Sequence, residues 1–573
     1  MELREKLISA CAQGCLLKEI ADIGYSDQDD SAKILAELHN EGDLHLLTVF
    51  ADDQLRELSN HAFFCIQQVF VKALPYVRCK CVEAITLCLS FYNRSREDLS
   101  SFTVSSALQK WFVKNIESVD EGLAIALTYD AAAFEITRCA LLSGSTFDPD
   151  QFVRKAIKIS RGPNENVCRA AISVLGRLAP AEKPLDRDVL ERLQEAIQDS
   201  TVAANQIAAF TAVLDLLERL PDVDVTELQR LVIASCVDSG EALRLAIAEG
   251  LRDRPRLFIG TMIDVAFEVI GKTDRYDETT ISVIDSILYQ WHIEDDQKRV
   301  LALLSNLLGR AEDSVEVRSL SNFRHKLANS AGPILGWYVV SLLLTGNDRL
   351  SVAASEFLPF QEDREGLDID LGSFGLTPPW IRFLVQKILG YCILKKEGAA
   401  SLLLSCLRTL ASDDTSDVEK LIVDFFLVNY PSAIEIFESK ITRDDVAVDS
   451  VKRLRAGLDD YITGLSRHGV CAAFKPSERD RSLQRYRQLD LWRGVHDVAK
   501  KRSVLSSMVH QIPMLYGTSL VSHVYSSSAD KPERKEVKLL TVEYKAEFPR
   551  LEVMDPVGFL YRQYQFKIER PPS

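Results

Sequence analysis

The sequence lacks an apolar run long enough to cross a membrane. Its best candidate, residues 334–344, covers about half of the ~20 residues that a bilayer-spanning helix needs. The first residues carry charges at Glu2, Arg4, Glu5 and Lys6 and contain no sustained apolar stretch, so they do not resemble a secretory signal. These absences predict a cytoplasmic protein that has no membrane partner.

The signature motifs of common enzymes are also missing. The chain has no G-x-x-x-x-G-K-[ST] or G-x-G-x-x-G phosphate loop, no G-x-S-x-G nucleophile elbow and no H-E-x-x-H zinc motif. Its nine histidines are spread singly along the chain. We therefore expect no cofactor and no metal site, and we expect a protein that is not an enzyme.

Glycine and proline are sparse, with 26 and 19 residues among 573. Such a composition excludes collagen-like and proline-rich chains. Hydrophobic and charged fractions of 47% and 26% argue against intrinsic disorder. A folded chain of this length holds either several domains or one long array of repeats.

The 12 cysteines do not form the pattern of a disulfide framework. Most of them lie within apolar stretches, as Cys88 and Cys406 do, where a free thiol behaves as a small apolar side chain. We therefore expect reduced core thiols. Close spacings at residues 11 and 15 and at residues 79 and 81 leave zinc as the alternative, although each lacks the second ligand pair of a zinc site.

From residue 1 to about 465, apolar residues recur with the helical period. In residues 201–220, for example, Ile207, Phe210, Leu214 and Leu217 fall three or four positions apart and form one apolar stripe. Helix follows helix with short polar breaks between them. Strands do not alternate with helices, and this pattern argues against a Rossmann or barrel enzyme core.

A weak repeat lies within this helical region. The pattern Leu-x-Arg-Leu occurs at positions 175–178 and again at positions 217–220, each time followed closely by a proline. A third apolar helix with a similar arginine-containing end is closed by Pro255. Over about residues 150–310 the chain therefore resembles HEAT or armadillo-type helical repeats, whose helix pairs recur every ~40 residues. The resemblance implies an α-solenoid, a fold whose members commonly bind other macromolecules. It does not imply a particular activity.

The predicted fold is mainly α, a HEAT-like solenoid that ends in a small antiparallel β-containing cap. The solenoid spans residues 1–355 and 381–467, and the proline- and glycine-rich segment 356–380 is a long irregular loop between them. Residues 468–573 hold a basic helix and then the cap. Alternation near Val537 and the sequence around Tyr561, Tyr564, Phe566 and Ile568 predict its strands, with a turn at residues 555–558.

Charge separates the solenoid from its C-terminal region. Residues 468–573 contain 18 basic and 12 acidic residues, whereas the rest of the chain contains 50 and 71. A basic helix at about 482–501 interleaves aromatic and cationic residues, which suits an acidic partner or nucleic acid. Its candidate binding residues are Arg485, Arg487, Trp492, Arg493, Lys500 and Lys501. The alternative is that the basic region packs on the acidic solenoid, with Leu489 and its neighbours as an ordinary core stripe.

One weak catalytic candidate lies in the predicted cap. Glu543 and Lys545 share one face of a strand, and Asp530 precedes them in the chain. A D…E-x-K arrangement is typical of metal-dependent nucleases, in which the carboxylates hold Mg²⁺ and the lysine stabilises charge near the phosphate. Charge pairing on an exposed sheet face is the simpler interpretation.

Together these features predict a scaffold or adaptor without catalytic activity. It would bind other proteins in a cytoplasmic multicomponent assembly through its helical-repeat surface. Two alternatives remain open: a nucleic-acid-binding protein that uses the basic C-terminal region, and a nuclease-like C-terminal module.

Overall fold

The computed structural model describes most of the chain, in two compact units. Unit 1 is Met1–Asn329 and unit 2 is Ser330–Ser573. The described residues are 2–23, 27–95, 101–129, 132–178, 187–199, 202–219, 225–237, 240–291, 296–310, 312–358, 367, 369–410, 415–467, 477–502, 519–524, 533–538 and 547–572. Both units consist mainly of helices, so the predicted mainly α class is confirmed.

Unit 1 contains helices of one to five turns joined by short connections. They are α1 Glu2–Ala12, α2 Leu16–Ala21, α3 Gln28–Glu41, α4 Leu46–Val49, α5 Asp52–Arg56, α6 Asn60–Ala73, α7 Cys81–Ser95, α8 Ser101–Lys114, α9 Val119–Ala126, α10 Ala133–Ser145, α11 Pro149–Ile159, α12 Glu165–Leu178, α13 Arg187–Gln198, α14 Ala203–Arg219, α15 Val225–Val237, α16 Glu241–Asp253, α17 Thr261–Ile270, α18 Glu278–Gln290, α19 Gln297–Leu308 and α20 Ser321–Asn329.

Local sequence explains where several of these helices begin. The Asp148 carboxylate accepts a hydrogen bond from the Gln151 amide at 3.0 Å, and Pro149 occupies the first turn of α11. Asp277 caps α18 in the same way through the Thr280 amide. Such caps satisfy amide groups that have no partner inside the helix.

From α8 onwards, the helices of unit 1 form two layers. Each even-numbered helix from α8 to α20 packs against the next even-numbered one, and α11, α13, α15, α17 and α19 pack in series beside them. Helices that follow each other along the chain, such as α13 and α14, also contact across the layers. This arrangement is consistent with a helical-repeat fold.

Hydrogen bonds between neighbouring repeats have a nearly constant sequence separation. The buried Trp111 indole donates to the Val77 carbonyl 34 residues away, and the Asp285 carboxylate accepts from the Phe323 amide 38 residues away. A similar separation occurs within unit 2, where Arg453 donates to Glu419, 34 residues away. The stacking therefore advances by one helix pair for about every 36 residues, within the helix-pair lengths of known repeat families.

The repeated arginines of the sequence link neighbouring helices. Arg177 donates to the Asp215 carboxylate at 2.8 Å, and Arg254 contacts the other oxygen of that carboxylate at 2.7 Å. Asp215 is only 5% exposed, and Arg219 donates to the Gly176 carbonyl. Gly176 lies so close to α14 that a Cβ atom there would come within 2.9 Å of the Ala212 Cα.

The described residues of unit 2 form further helices, two π-helical turns and one pair of strands. The helices are α21 Gly332–Leu344, α22 Asp348–Phe357, α23 Pro378–Lys387, α24 Lys396–Thr409, α25 Ser416–Leu421, α26 Ala433–Ser439, α27 Val448–Arg467, α28 Glu478–Arg502, α29 Arg550–Met554 and α30 Pro556–Ile568. The π-helical turns are Ile388–Cys392 and Ile422–Leu427. The strands are β1 Ser519–Val524 and β2 Glu533–Lys538.

The predicted β-containing cap is wrong. Tyr561, Tyr564, Phe566 and Ile568, which the sequence pattern placed in a strand, all lie in helix α30. Within the described part of residues 468–573, extended structure is limited to β1 and β2, which pair antiparallel with Leu520 opposite Val537. Two strands do not make a sheet that could close an end of the protein.

Two physical features explain why α30 is helical. Asp555 accepts a hydrogen bond from the Gly558 amide at 2.9 Å and Pro556 stands at the first helical position, so the predicted turn is a helix start. Phe559 and Phe566, two turns apart on one helix face, both pack on Phe425 with ring centroids 5.4 and 5.1 Å away. That burial stabilises the helix.

Polar contacts complete the docking of this segment. The buried Asn429 accepts a hydrogen bond from the Leu551 amide at 2.9 Å, and the buried Lys387 ammonium donates to the Lys567 carbonyl at the end of α30. Burial lowers the pKa of Lys387. Both π-helical turns contact α30: Phe425 belongs to one, and Gly390, in the other, lies against Lys567.

The boundary between the units follows Asn329, inside the segment 1–355 that was predicted as one solenoid part. Within the predicted loop 356–380, residues 359–366 and 368 lie outside the described residues, while Leu371–Phe374 form a 3₁₀ turn. Seven of the eleven described cysteines are buried, as expected for core thiols. Among the described helices, none has both the length and the apolar character that a membrane crossing requires.

Candidate partner-binding site

The basic helix predicted near residues 482–501 is helix α28, with 25 residues. Ser477 begins it, because its hydroxyl accepts a hydrogen bond from the Asp480 amide at 3.1 Å and donates to the Asp480 carboxylate at 2.6 Å. Such a cap satisfies an amide group that has no partner inside the helix. The helix prediction for this segment is confirmed.

Three of the predicted binding residues are exposed on α28. Arg485, Arg487 and Arg493 all present their guanidinium groups to solvent. Trp492, Lys500 and Lys501 lie in the same helix, but their side chains are outside the described part of the structure. Helix α28 contains eight basic and four acidic residues, so its sequence carries an excess of positive charge.

Apolar residues of α28 are exposed along with the arginines. Leu483, Tyr486 and Leu489 are 46%, 63% and 57% exposed. The structure therefore does not bury Leu489 in a core stripe, which was the simpler interpretation of the sequence. A helix that carries apolar, aromatic and cationic side chains into solvent has the composition of a protein-interface surface.

The three catalytic candidates, Asp530, Glu543 and Lys545, all lie outside the described residues. Within the described part of the chain, no three His, Cys, Asp or Glu side chains cluster as metal ligands.

The structure contains a second candidate site that the sequence analysis missed. A groove of about 680 Å³ lies between α3, α6 and α8 of unit 1. Four lysines line it, together with a single carboxylate, from Asp29. The lysines are Lys33, Lys72, Lys110 and Lys114. We call this feature the lysine groove.

A signal for the lysine groove was present in the sequence. Lys33, Lys72 and Lys110 follow one another along the chain at nearly equal intervals. These intervals are close to the spacing at which helices of neighbouring repeats stack, so equivalent positions come to lie side by side. The region shows no recognisable repeat motif, which is why the coincidence was not apparent.

Comparison with known proteins adds no family to this description. No protein-family model and no curated protein matches the chain.

Proposed function

We propose that this protein is a non-catalytic scaffold or adaptor of the HEAT-like α-solenoid kind. It holds protein partners in a cytoplasmic multicomponent assembly. The observation that carries this proposal is the layered packing of helices at a regular repeat spacing, because stacked repeats create extended surfaces on which proteins bind.

Helix α28 is the surface that we propose for one partner. Its exposed Tyr486 and Leu489 supply apolar contact area, and Arg485, Arg487 and Arg493 supply charge that favours an acidic partner. Arginine suits this role because its planar guanidinium pairs with carboxylates through two hydrogen bonds.

The test is a charge reversal on α28 in the full-length chain. The measurement is the amount of each protein that co-purifies with the chain from its native cells. Proteins that co-purify with the wild type should be lost from the variant Arg485→Glu/Arg487→Glu/Arg493→Glu. The matched control reverses three exposed arginines elsewhere in unit 2, Arg443, Arg467 and Arg570. If the same proteins are lost from both variants, or from neither, α28 is not the binding surface.

Nucleic-acid binding is the second candidate, because exposed arginines and Tyr486 share one helix. If α28 contacts phosphates, the logarithm of the binding constant should fall linearly as the logarithm of the salt concentration rises. On duplex DNA, each phosphate contact contributes about −0.9 to the slope of that line. Fluorescence anisotropy with labelled single-stranded and duplex oligonucleotides measures this slope. Failure to bind at low salt, or equal binding by the charge-reversed variant, would exclude this function for α28.

The nuclease-like alternative stays a prediction. If it is correct, Glu543→Ala abolishes a Mg²⁺-dependent cleavage of nucleic acid, whereas Glu536→Ala, in the nearby Glu-x-Lys, leaves it unchanged. Absence of cleavage by the wild-type protein across single-stranded and duplex substrates would remove it.

A further inference from the structure

We propose that the lysine groove of unit 1 binds an acidic segment of a partner protein. This inference goes beyond the function proposed for α28, since it concerns different residues in the other unit. It does not require that α28 bind anything.

The lysine groove differs in charge from the rest of unit 1. Unit 1 contains 36 basic and 51 acidic residues, yet four lysines and one carboxylate line the lysine groove. Lys33 forms an ion pair with Asp30, beside the groove, at 3.9 Å. Lys72 contacts Asp29 at 2.8 Å, and their hydrogen bond lowers the pKa of that carboxyl group. Lys110 and Lys114 form no ion pair with any residue that the structure describes. No carboxylate of the described residues therefore neutralises either charge.

The spacing of these two lysines suits an extended peptide. Lys110 and Lys114 lie one helical turn apart on α8, so they share a face and are separated by about 6 Å along the helix axis. Alternate side chains of an extended chain are separated by about 6.6 Å on one side. Two carboxylates in an Asp- or Glu-x-Glu sequence can therefore meet both ammonium groups.

The walls of the groove favour a peptide over nucleic acid. Val71, Pro75 and Val113 line it beside the lysines. Apolar side chains of a peptide can pack on these groups, whereas a phosphate backbone has no apolar side chains. The excess of acidic residues in unit 1 also repels a long polyanion, whereas a short acidic segment experiences mainly the local cationic field.

The groove is held in shape before a ligand arrives. The Asn40 side chain donates to the Tyr76 carbonyl at 2.9 Å and accepts from the Arg78 amide at 2.6 Å. The Lys114 ammonium lies 3.7 Å from the centre of the Tyr76 ring, a cation–π contact. Because these side chains are already placed, binding loses less conformational entropy.

The experiment measures binding of a fluorescein-labelled peptide of twelve residues, in which Glu alternates with Ala and Leu, to the full-length protein by anisotropy at low salt. We expect the Glu peptide to bind the wild type saturably. The affinity should fall roughly tenfold when every Glu of the peptide is replaced by Gln. The affinity for the Glu peptide should also fall roughly tenfold in the variant Lys110→Glu/Lys114→Glu. The matched control, Lys158→Glu/Lys298→Glu, makes the same charge change at exposed sites of unit 1 outside the groove and should bind within twofold of the wild type.

Several outcomes would overturn the proposal. They are equal binding by the groove variant and the wild type, equal binding of the Gln peptide, or no binding of the Glu peptide at low salt. Tighter binding of a labelled oligothymidine that the groove variant loses would assign the groove to nucleic acid instead. Displacement of the Glu peptide by millimolar inorganic phosphate would assign it to a small anion. Unchanged peptide binding by the α28 charge-reversed variant separates this result from the function proposed above.

Discussion

The contacts that stabilise unit 1 differ from those that stabilise the C-terminal end of unit 2. In unit 1, side-chain hydrogen bonds join neighbouring repeats over intervals such as 34 or 37 residues. In unit 2, α29 and α30 return to helices far back in the chain: Asn429 and Leu551 are 122 residues apart, and Lys387 and Lys567 are 180. Closing such a long connection costs more chain entropy than stacking the next repeat. Burial of Phe559 and Phe566 must offset that entropy.

The two units also differ in charge. Unit 1 carries 51 acidic and 36 basic residues, whereas unit 2 carries 32 of each. The net charge of −15 therefore belongs entirely to unit 1. The cationic surfaces differ accordingly, because the lysine groove is a local exception within an acidic unit and α28 lies in a neutral one.

The largest effect should come from Phe559→Ala. Phe559 is 3% exposed, and removing a buried phenyl ring costs about 3–5 kcal/mol. Because α30 is attached through long-range contacts, we expect the loss to release α29 and α30 without loosening the repeats of unit 1. Hydrogen exchange should become faster in α29 and α30 and stay unchanged in the repeats of unit 1. Tyr561→Ala, at a site that is 62% exposed on the same helix, is the control and should leave exchange unchanged.

Asp215→Ala should have the next largest effect and a different distribution. Removing one partner of a buried ion pair costs about 3–5 kcal/mol. We expect the low end, since the Arg177 side chain is 51% exposed. Loss of stability should extend through α12, α14 and α16, because Asp215 joins both neighbours. Hydrogen exchange in urea would show this. Glu227→Ala, which breaks the exposed pair with Arg230, should cost less than about 1 kcal/mol.

Gly176→Ala should destabilise unit 1 by about 1–3 kcal/mol, because the methyl group that alanine adds has no room against the backbone of α14. The same change at Gly464 in α27 meets nothing within 4 Å. Alanine favours the helix there by about 1 kcal/mol. Denaturant titration should therefore show opposite signs at the two sites. A stabilising Gly176→Ala would contradict the close approach of α12 and α14.

The smallest effect concerns thiol reactivity, which should not distinguish the units. Burial raises the pKa of Cys139 in unit 1 and of Cys392 in unit 2 to about 12. A raised pKa keeps a thiol protonated until the pH approaches that value, so both should resist iodoacetamide at pH 8. The exposed Cys15 should react first, as peptide mass spectrometry would show. Equal labelling of Cys139 and Cys15 would contradict the burial.

Much of the helical architecture could be predicted from the sequence. Of the stripe that the spacing indicated, Phe210, Leu214 and Leu217 are buried, whereas Ile207 is only half-buried. The failure at α30 has a local cause, since a short aromatic run fits either a strand or a helix and Asp555-Pro556 suits either a turn or a helix start. Contact with Phe425, far earlier in the chain, decides between them.

The sequence by itself determined the helical class, the repeat near residues 175–255 and the position of the basic helix, because helical periodicity and charge are properties of neighbouring residues. Only the tertiary structure decided that Leu489 faces solvent, that α30 docks on Phe425 and that Lys33, Lys72 and Lys110 line one groove. Each of these facts depends on which distant segments pack together. The packing of helices, not the spacing of residues alone, therefore forms the lysine groove.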